Sequence, residues 1–153
     1  MTCGKEDLHR LALAENRVDE AYYQCARRMG AGDNELALLY ALDDGRAHTQ
    51  KQLADEWLIP KTTINTIVRA LEREGCLVLS HEEGAREKAI VLTEKGRARA
   101  AELLEGVYAA ERAALRRACG ENAQDFIDTF ERFARCLCEE LRAHVPAGPQ
   151  EKE

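Results

Sequence analysis

From Pro60 to Arg69 the chain runs ten residues, PKTTINTIVR, without an acid. Lys61, Thr62, Thr63, Asn65, Thr66 and Arg69 can all donate or accept hydrogen bonds. They occupy the positions left free by Ile64, Ile67, Val68 and Leu71, which recur at helical spacing. A merely solvated helix face would mix in acids, as the flanking segments do with Asp55, Glu56, Glu72 and Glu74. Short hydroxyls let a helix approach a surface closely. An amide such as Asn65 can pair with an adenine edge, and a guanidinium such as Arg69 with a guanine edge or a phosphate. The chemistry on offer is that of reading double-stranded DNA, with Arg86 and Lys88 as further basic residues downstream.

Such a face needs a helix to carry it and neighbours to aim it. The period predicts that helix from about Pro60 to Glu74, with Pro60 in its first turn and Gly75 ending it. Before it, Thr49-x-x-Gln52 fits a capping box opening a third helix, whose apolar face is Leu53, Ala54 and Trp57. Trp57 is expected to brace the third helix against the fourth, and Leu58-Ile59 to be the short connection. After Gly75 the period changes. Cys76 to Ser80 and Ala89 to Leu92 read as the two strands of a hairpin, with the polar run His81 to Lys88 at its tip. Helix, short connection, helix, hairpin is the order of a winged helix-turn-helix, whose second helix fits a major groove roughly 12 Å wide.

Longer helices flank this middle. A first is expected from Glu6 to Met29, with Leu11, Val18, Tyr22, Cys25 and Met29 as its stripe and Gly30-Ala31-Gly32 as its exit. Asp33 or Asn34 would cap a second, Glu35 to Leu42, with Leu36, Leu39, Tyr40 and Leu42 as core. Asp43-Asp44-Gly45 then makes a turn. Thr93 would cap a fifth, reaching Cys119. A sixth, from Ala123 to Ala143, carries Phe126, Phe130, Phe133, Leu137 and Leu141 at steps of three and four. The middle is too small to bury all of these stripes, so pairing with a second copy is expected, an intramolecular bundle being the competing arrangement.

Composition sets the limits. At 153 residues, 45% hydrophobic and 33% charged, the chain can bury a core and keep a charged surface. The net charge of -6 looks unfavourable for DNA. Gly45 to Arg97, however, holds nine Lys and Arg against eight Asp and Glu, so the acid excess lies in the flanks. No apolar run reaches the roughly 18 residues of a membrane helix. Met1 to Asp7 lacks a basic start and apolar stretch, so no secretory signal and a cytoplasmic location are expected. The cysteines at 3, 25, 76, 119, 136 and 138 are then expected to be reduced. There is no CxxC, and Cys136 and Cys138 point to different faces of one helix. His9, His48, His81 and His144 are scattered. Neither a metal nor another cofactor is expected. Without a nucleophile elbow, phosphate loop, dinucleotide turn or metalloprotease helix, no catalytic residues and no enzyme activity are expected either.

On these residues the chain resembles the MarR family of winged-helix transcriptional regulators across about residues 6 to 143. The most specific stretch is Pro60 to Gly75, PKTTINTIVRALEREG, followed by Arg86 and by Leu92-Thr93-Glu94-Lys95-Gly96. The resemblance implies a mainly helical fold with a small β-hairpin wing. Residues 33–96 would form the winged helix-turn-helix, and residues 6–30 and 97–143 the helical dimerisation part, within one domain. A homodimer would place two recognition helices on an inverted repeat about one DNA turn, roughly 34 Å, apart. Arg86 matches the family's wing arginine, which enters the minor groove, and Lys88 would sit on phosphate. The sequence departs from the family's D-x-R wing at Gly84. Either Glu83 or Glu87 then orients Arg86, or the wing is looser and reads DNA less strictly.

The resemblance further implies a repressor that leaves DNA when an effector shifts its population of states. A small organic molecule is the default effector, in a cleft whose residues the sequence does not single out. One branch of the family senses hydroperoxides through a cysteine near tyrosines. Tyr22-Tyr23 stand beside Cys25, so a thiol-based redox-sensing regulator using Cys25 is an alternative; Cys25 lies late in its helix and within its apolar stripe, where packing is the expected role and a buried thiol is inert. The remaining rival is a winged helix that binds protein, for which an acid-free face and a basic wing would serve no purpose.

Overall fold

The computed structural model describes residues 3–80 and 87–145. The chain divides into two compact units, one reaching Val107 and one from Tyr108 onward. The first unit contains α1 (Lys5–Met29), α2 (Asp33–Leu42), β1 (His48–Thr49), α3 (Gln50–Trp57), α4 (Lys61–Arg73), β2 (Leu77–Ser80), β3 (Ala89–Leu92) and the start of α5 (Glu94–Cys119). The second contains the end of α5, a 3₁₀ turn (Gly120–Asn122) and α6 (Ala123–His144). The expected mainly helical fold with a hairpin wing is the one observed.

The core of the first unit gathers where the short helices meet the sheet. Leu38, Leu39, Leu42, Leu53, Ile64, Val68, Leu71, Leu77, Ile90 and Leu104 are buried. Leu36, Leu39 and Leu42 are buried as expected. Leu38, unassigned by the helical stripe, is fully buried too, because α2 lies inside the unit and is apolar on more than one face. Tyr40 is only half-buried.

Four local details correct the sequence reading. First, Gly32, not Asp33 or Asn34, stands at the N-cap of α2, and no side chain caps that helix. Second, Pro60 is the N-cap of α4 and not its first helical residue; its carbonyl accepts the Ile64 N–H at 3.0 Å. Third, the wing sheet has three strands, not two. They run antiparallel in the order β1-β3-β2, with His48 opposite Ile90 and Leu77 opposite Leu92. A two-residue strand has no period to betray it. Fourth, Trp57 is 38% exposed, and the ring it stands against is Tyr40 of α2, 5.6 Å away. Leu53 is the buried residue of this short helix, and beyond its end Ile59 is buried as well.

The exit of α4 is tightly built. Gly75 adopts φ 71°, its N–H donates to the Glu72 carbonyl, and the Cys76 N–H donates to Leu71 at 2.8 Å. These bonds satisfy carbonyls that a helix end leaves open. The Thr93 hydroxyl donates to the Gly75 carbonyl at 2.7 Å and accepts the Gly96 N–H at 3.1 Å, capping α5 as expected. Lys95 Nζ donates to the Glu74 carbonyl at 2.6 Å. Arg99 pairs with Glu35 at 2.8 Å and also with Glu74, tying α2, α5 and the end of α4 together. Burial pulls the Arg99 pKa down, but the two carboxylates outweigh it and hold the guanidinium above its ordinary value.

In the second unit no residue of α6 is buried. Phe126 and Phe130 stack at 6.0 Å, and Phe130 and Phe133 at 6.3 Å. Phe126, Phe130, Leu137 and Leu141 are exposed, forming the apolar stripe read from the sequence. Among the described residues no helix is long and apolar enough to cross a membrane.

Candidate nucleic-acid interface

The helix-turn-helix begins at Thr49. Its hydroxyl accepts the Gln52 N–H at 3.1 Å, and Gln52 Oε1 accepts the Thr49 N–H at 2.8 Å, so the capping box is closed in both directions. At the other end of α3, Leu58 takes the left-handed conformation, φ 53°, with its side chain 84% exposed. This one residue reverses the chain, and Pro60 then starts α4.

Along α4 the two faces are sharply divided. Ile64, Val68 and Leu71 are buried. At 100° per residue, Thr62, Asn65, Thr66 and Arg69 fall within about 100° of one another on the opposite side. Lys61, Thr62, Thr66 and Arg69 are exposed, whereas Thr63 and Asn65 are half-buried at the edge of the stripe. Thr66 Oγ1 donates to the Thr62 carbonyl at 3.0 Å, which fixes its rotamer and leaves its oxygen able to accept. Arg73, also exposed, extends the same stripe one turn beyond Arg69. The sequence reading omitted it because Glu72 and Glu74 end the acid-free run there; its spacing of four from Arg69 was the available signal.

One acid beside this face, Asp55 of α3, is engaged, whereas Glu72 stands exposed at the end of the face itself. Lys51 Nζ lies 2.7 Å from Asp55 Oδ2 on α3. The hydrogen bond and charge of Lys51, with a contribution from Lys61, hold the Asp55 carboxyl below its ordinary value. Asp55 in turn, with Glu87, raises the Lys51 pKa. Lys88 is exposed immediately before β3, whose Ala89 pairs with Thr49 on one side and Ser80 on the other. The sheet thus sets Lys88 relative to the start of α3. Arg86, together with His81, Glu83 and Gly84, lies outside the described residues.

A second concave feature lies in the same unit. A cleft of about 450 Å³ is lined by Asp19, Tyr22 and Tyr23 of α1, Asp33 and Tyr40 of α2, and Trp57 of α3, with Leu36, Ala37 and Val107 completing it. The Tyr40 and Trp57 rings stand 5.6 Å apart, tilted by 52°. Cys25 is half-buried, with its Sγ 3.9 Å from Met29 Sδ. Among the described residues no three metal-ligating side chains cluster.

Residues 30–87 match the model of the MarR family. No curated protein matches the chain. The fold is shared with solved structures of low identity. A MarR family regulator from Neisseria meningitidis superposes with a TM-score of 0.74 at 21% identity, over 88% of this chain and 95% of that one. A Listeria monocytogenes MarR family regulator solved with a 26mer DNA gives 0.69 at 14% identity, over 93% and 97%. A Mycobacterium tuberculosis MarR family protein in complex with salicylic acid gives 0.60 at 20% identity, over 86% and 97%.

Proposed function

From the premise that the winged-helix segment of this chain belongs to the MarR family, we propose that the protein is a sequence-specific DNA-binding transcriptional regulator. It acts as a cytoplasmic homodimer on an inverted repeat and is released by a small molecule, as a repressor would be. The observation that carries the reading is the division of α4. A buried stripe of Ile64, Val68 and Leu71 backs an acid-free polar face ending in Arg69.

Thr62, Asn65, Thr66 and Arg69 lie in the major groove, with Lys61 and Thr63 at its edges. Arg86 enters the minor groove and Lys88 meets phosphate. Residues 33–96 form the DNA-binding part, and residues 6–30 and 97–143 the dimerisation part. The exposed aromatic stripe of α6 supports the dimer, since burying it against a second copy removes it from water. The effector occupies the aromatic cleft, a concave apolar site with a few polar groups. The fold is also that of regulators solved with DNA and with salicylic acid.

The test is selection of bound duplexes from a random library at two salt concentrations. An inverted repeat with half-sites about one turn apart, whose affinity falls as salt rises, is the expected product. A folded dimer that enriches no motif would overturn the reading.

A further inference from the structure

The cleft has an electrostatic character that its size alone does not convey. Its wall carries two carboxylates, Asp19 on α1 and Asp33 on α2, and none of its lining residues is Lys, Arg or His. The remaining polar surface is aromatic: Tyr22, Tyr23 and Tyr40, with Trp57 tilted against Tyr40 at 5.6 Å. Tyr22, Tyr23 and Trp57 are each about two-fifths exposed, so their rings present surface to an incoming molecule.

An aromatic ring is negative over its face, and several rings around one volume attract a cation of low hydration, such as a quaternary ammonium. Carboxylates at the rim add attraction of the same sign, weakened by solvent because both are exposed, and repel an organic acid. A cation already rests on this group: the Arg27 guanidinium lies 5.7 Å from the centroid of the Tyr23 ring. The volume admits a ligand with an aromatic or aliphatic body as well as its charged head.

We infer that the cleft between α1, α2 and α3 binds an amphiphilic organic cation, with the charge held among the tyrosine and tryptophan rings and balanced by Asp19 and Asp33. The inference rests on the reading of this cleft as the effector site and names its ligand class. It sets the chain apart from the fold relative solved with salicylic acid, whose ligand carries the opposite charge.

The single tryptophan makes binding visible, because Trp57 is the only such fluorophore and lines the cleft. Three probes would be titrated into the full-length protein: benzyltrimethylammonium, its uncharged isostere neopentylbenzene, and salicylate. The expected result is quenching or a spectral shift with the cation at about tenfold or more lower concentration than with the isostere, and none with salicylate. Asp19→Asn and Asp33→Asn should each reduce that preference, and Trp57→Phe, followed by calorimetry, should weaken cation binding while leaving the melting curve in place. Both aspartates lie on exposed helix surface, so the two single variants fold independently of each other's outcome.

Equal affinity for cation and isostere, or tighter binding of salicylate with Arg27 as its counter-charge, would overturn the inference. So would no binding of any probe, as when a partner copy fills the cleft. Release from the selected operator is measured in parallel. A cation that binds without releasing DNA supports the ligand class and removes the effector reading. Salicylate that binds and releases DNA keeps the effector reading and removes the ligand class.

Discussion

Gly96, at the start of α5, lies flat against the Cys76 carbonyl, so that a Cβ at position 96 would fall inside that oxygen. The same carbonyl accepts the Thr93 N–H at 3.0 Å. A side chain at 96 therefore has to drive α5 away from the exit of α4 or break the bond between Thr93 and Cys76. Gly96→Ala is expected to destabilise the protein by about 3 kcal/mol, at the upper end of overpacking costs. Gly106→Ala, in the same helix with open space around it, should instead add about 0.5–1 kcal/mol from helix propensity. Thermal unfolding of the two variants checks both signs; a neutral Gly96→Ala would mean the contact yields.

The residues proposed to face DNA divide into two kinds. Arg69→Ala and Arg86→Ala are each expected to weaken operator binding by roughly 1–3 kcal/mol and to relax base preference. Lys88→Ala should weaken all sequences alike and lower the salt slope by about one. Arg73→Ala tests whether the stripe continues past Arg69. Competition binding against operator and scrambled duplexes at several salt concentrations separates the cases. An unchanged specificity in Arg69→Ala would take that residue off the base edges.

Asp44 carries a pH signature. Its carboxylate accepts from His48 Nε2 at 2.9 Å and from the Arg46 N–H at 2.9 Å, and these bonds, His48 first, hold it below the usual 3.8. A carboxyl lowered on folding stabilises the native state above its unfolded pKa, and loses that contribution as pH falls through the folded one. Asp44→Asn should therefore be less stable than the parent at neutral pH, by about 1 kcal/mol or less for a partly exposed group. The gap should close below pH 4. Denaturant melts at pH 7 and pH 3 measure it, and a gap independent of pH would assign the effect to turn geometry.

Leu58 stores strain. A left-handed leucine costs about 1 kcal/mol relative to glycine, and this side chain is almost wholly in water, so it gains little from packing. Leu58→Gly should leave stability unchanged or raise it by up to about 1 kcal/mol, the relief being offset by a freer unfolded chain. A clear loss in a chemical melt would show that Leu58 serves as packing against a neighbour.

Much of this was legible in the residues. The capping box at Thr49, the cap at Thr93, the turn at Gly75 and the period of α4 are local signals, and local signals survive folding. What escaped was set by tertiary position. Leu38 is buried because α2 is enclosed, β1 exists because β3 has a free edge, and Trp57 stands against Tyr40 of α2 with part of its ring exposed. The cleft was invisible for the same reason: its six polar and aromatic residues come from three helices, and no spacing within any one of them announces a cavity.

The clasp at Gly75, Thr93 and Gly96, with Arg99 strung between Glu35 and Glu74, removes any loose joint between α4 and the start of α5. A force that turned α4 would pass through these bonds to α2 and to the first turns of α5. The cleft borders α2 through Asp33 and Tyr40, and meets α1 on its far side through Asp19. Under the function proposed above, a molecule wedged there would act on the angle between α2 and α1, and the bearing of α4 on DNA would follow through the clasp at its exit.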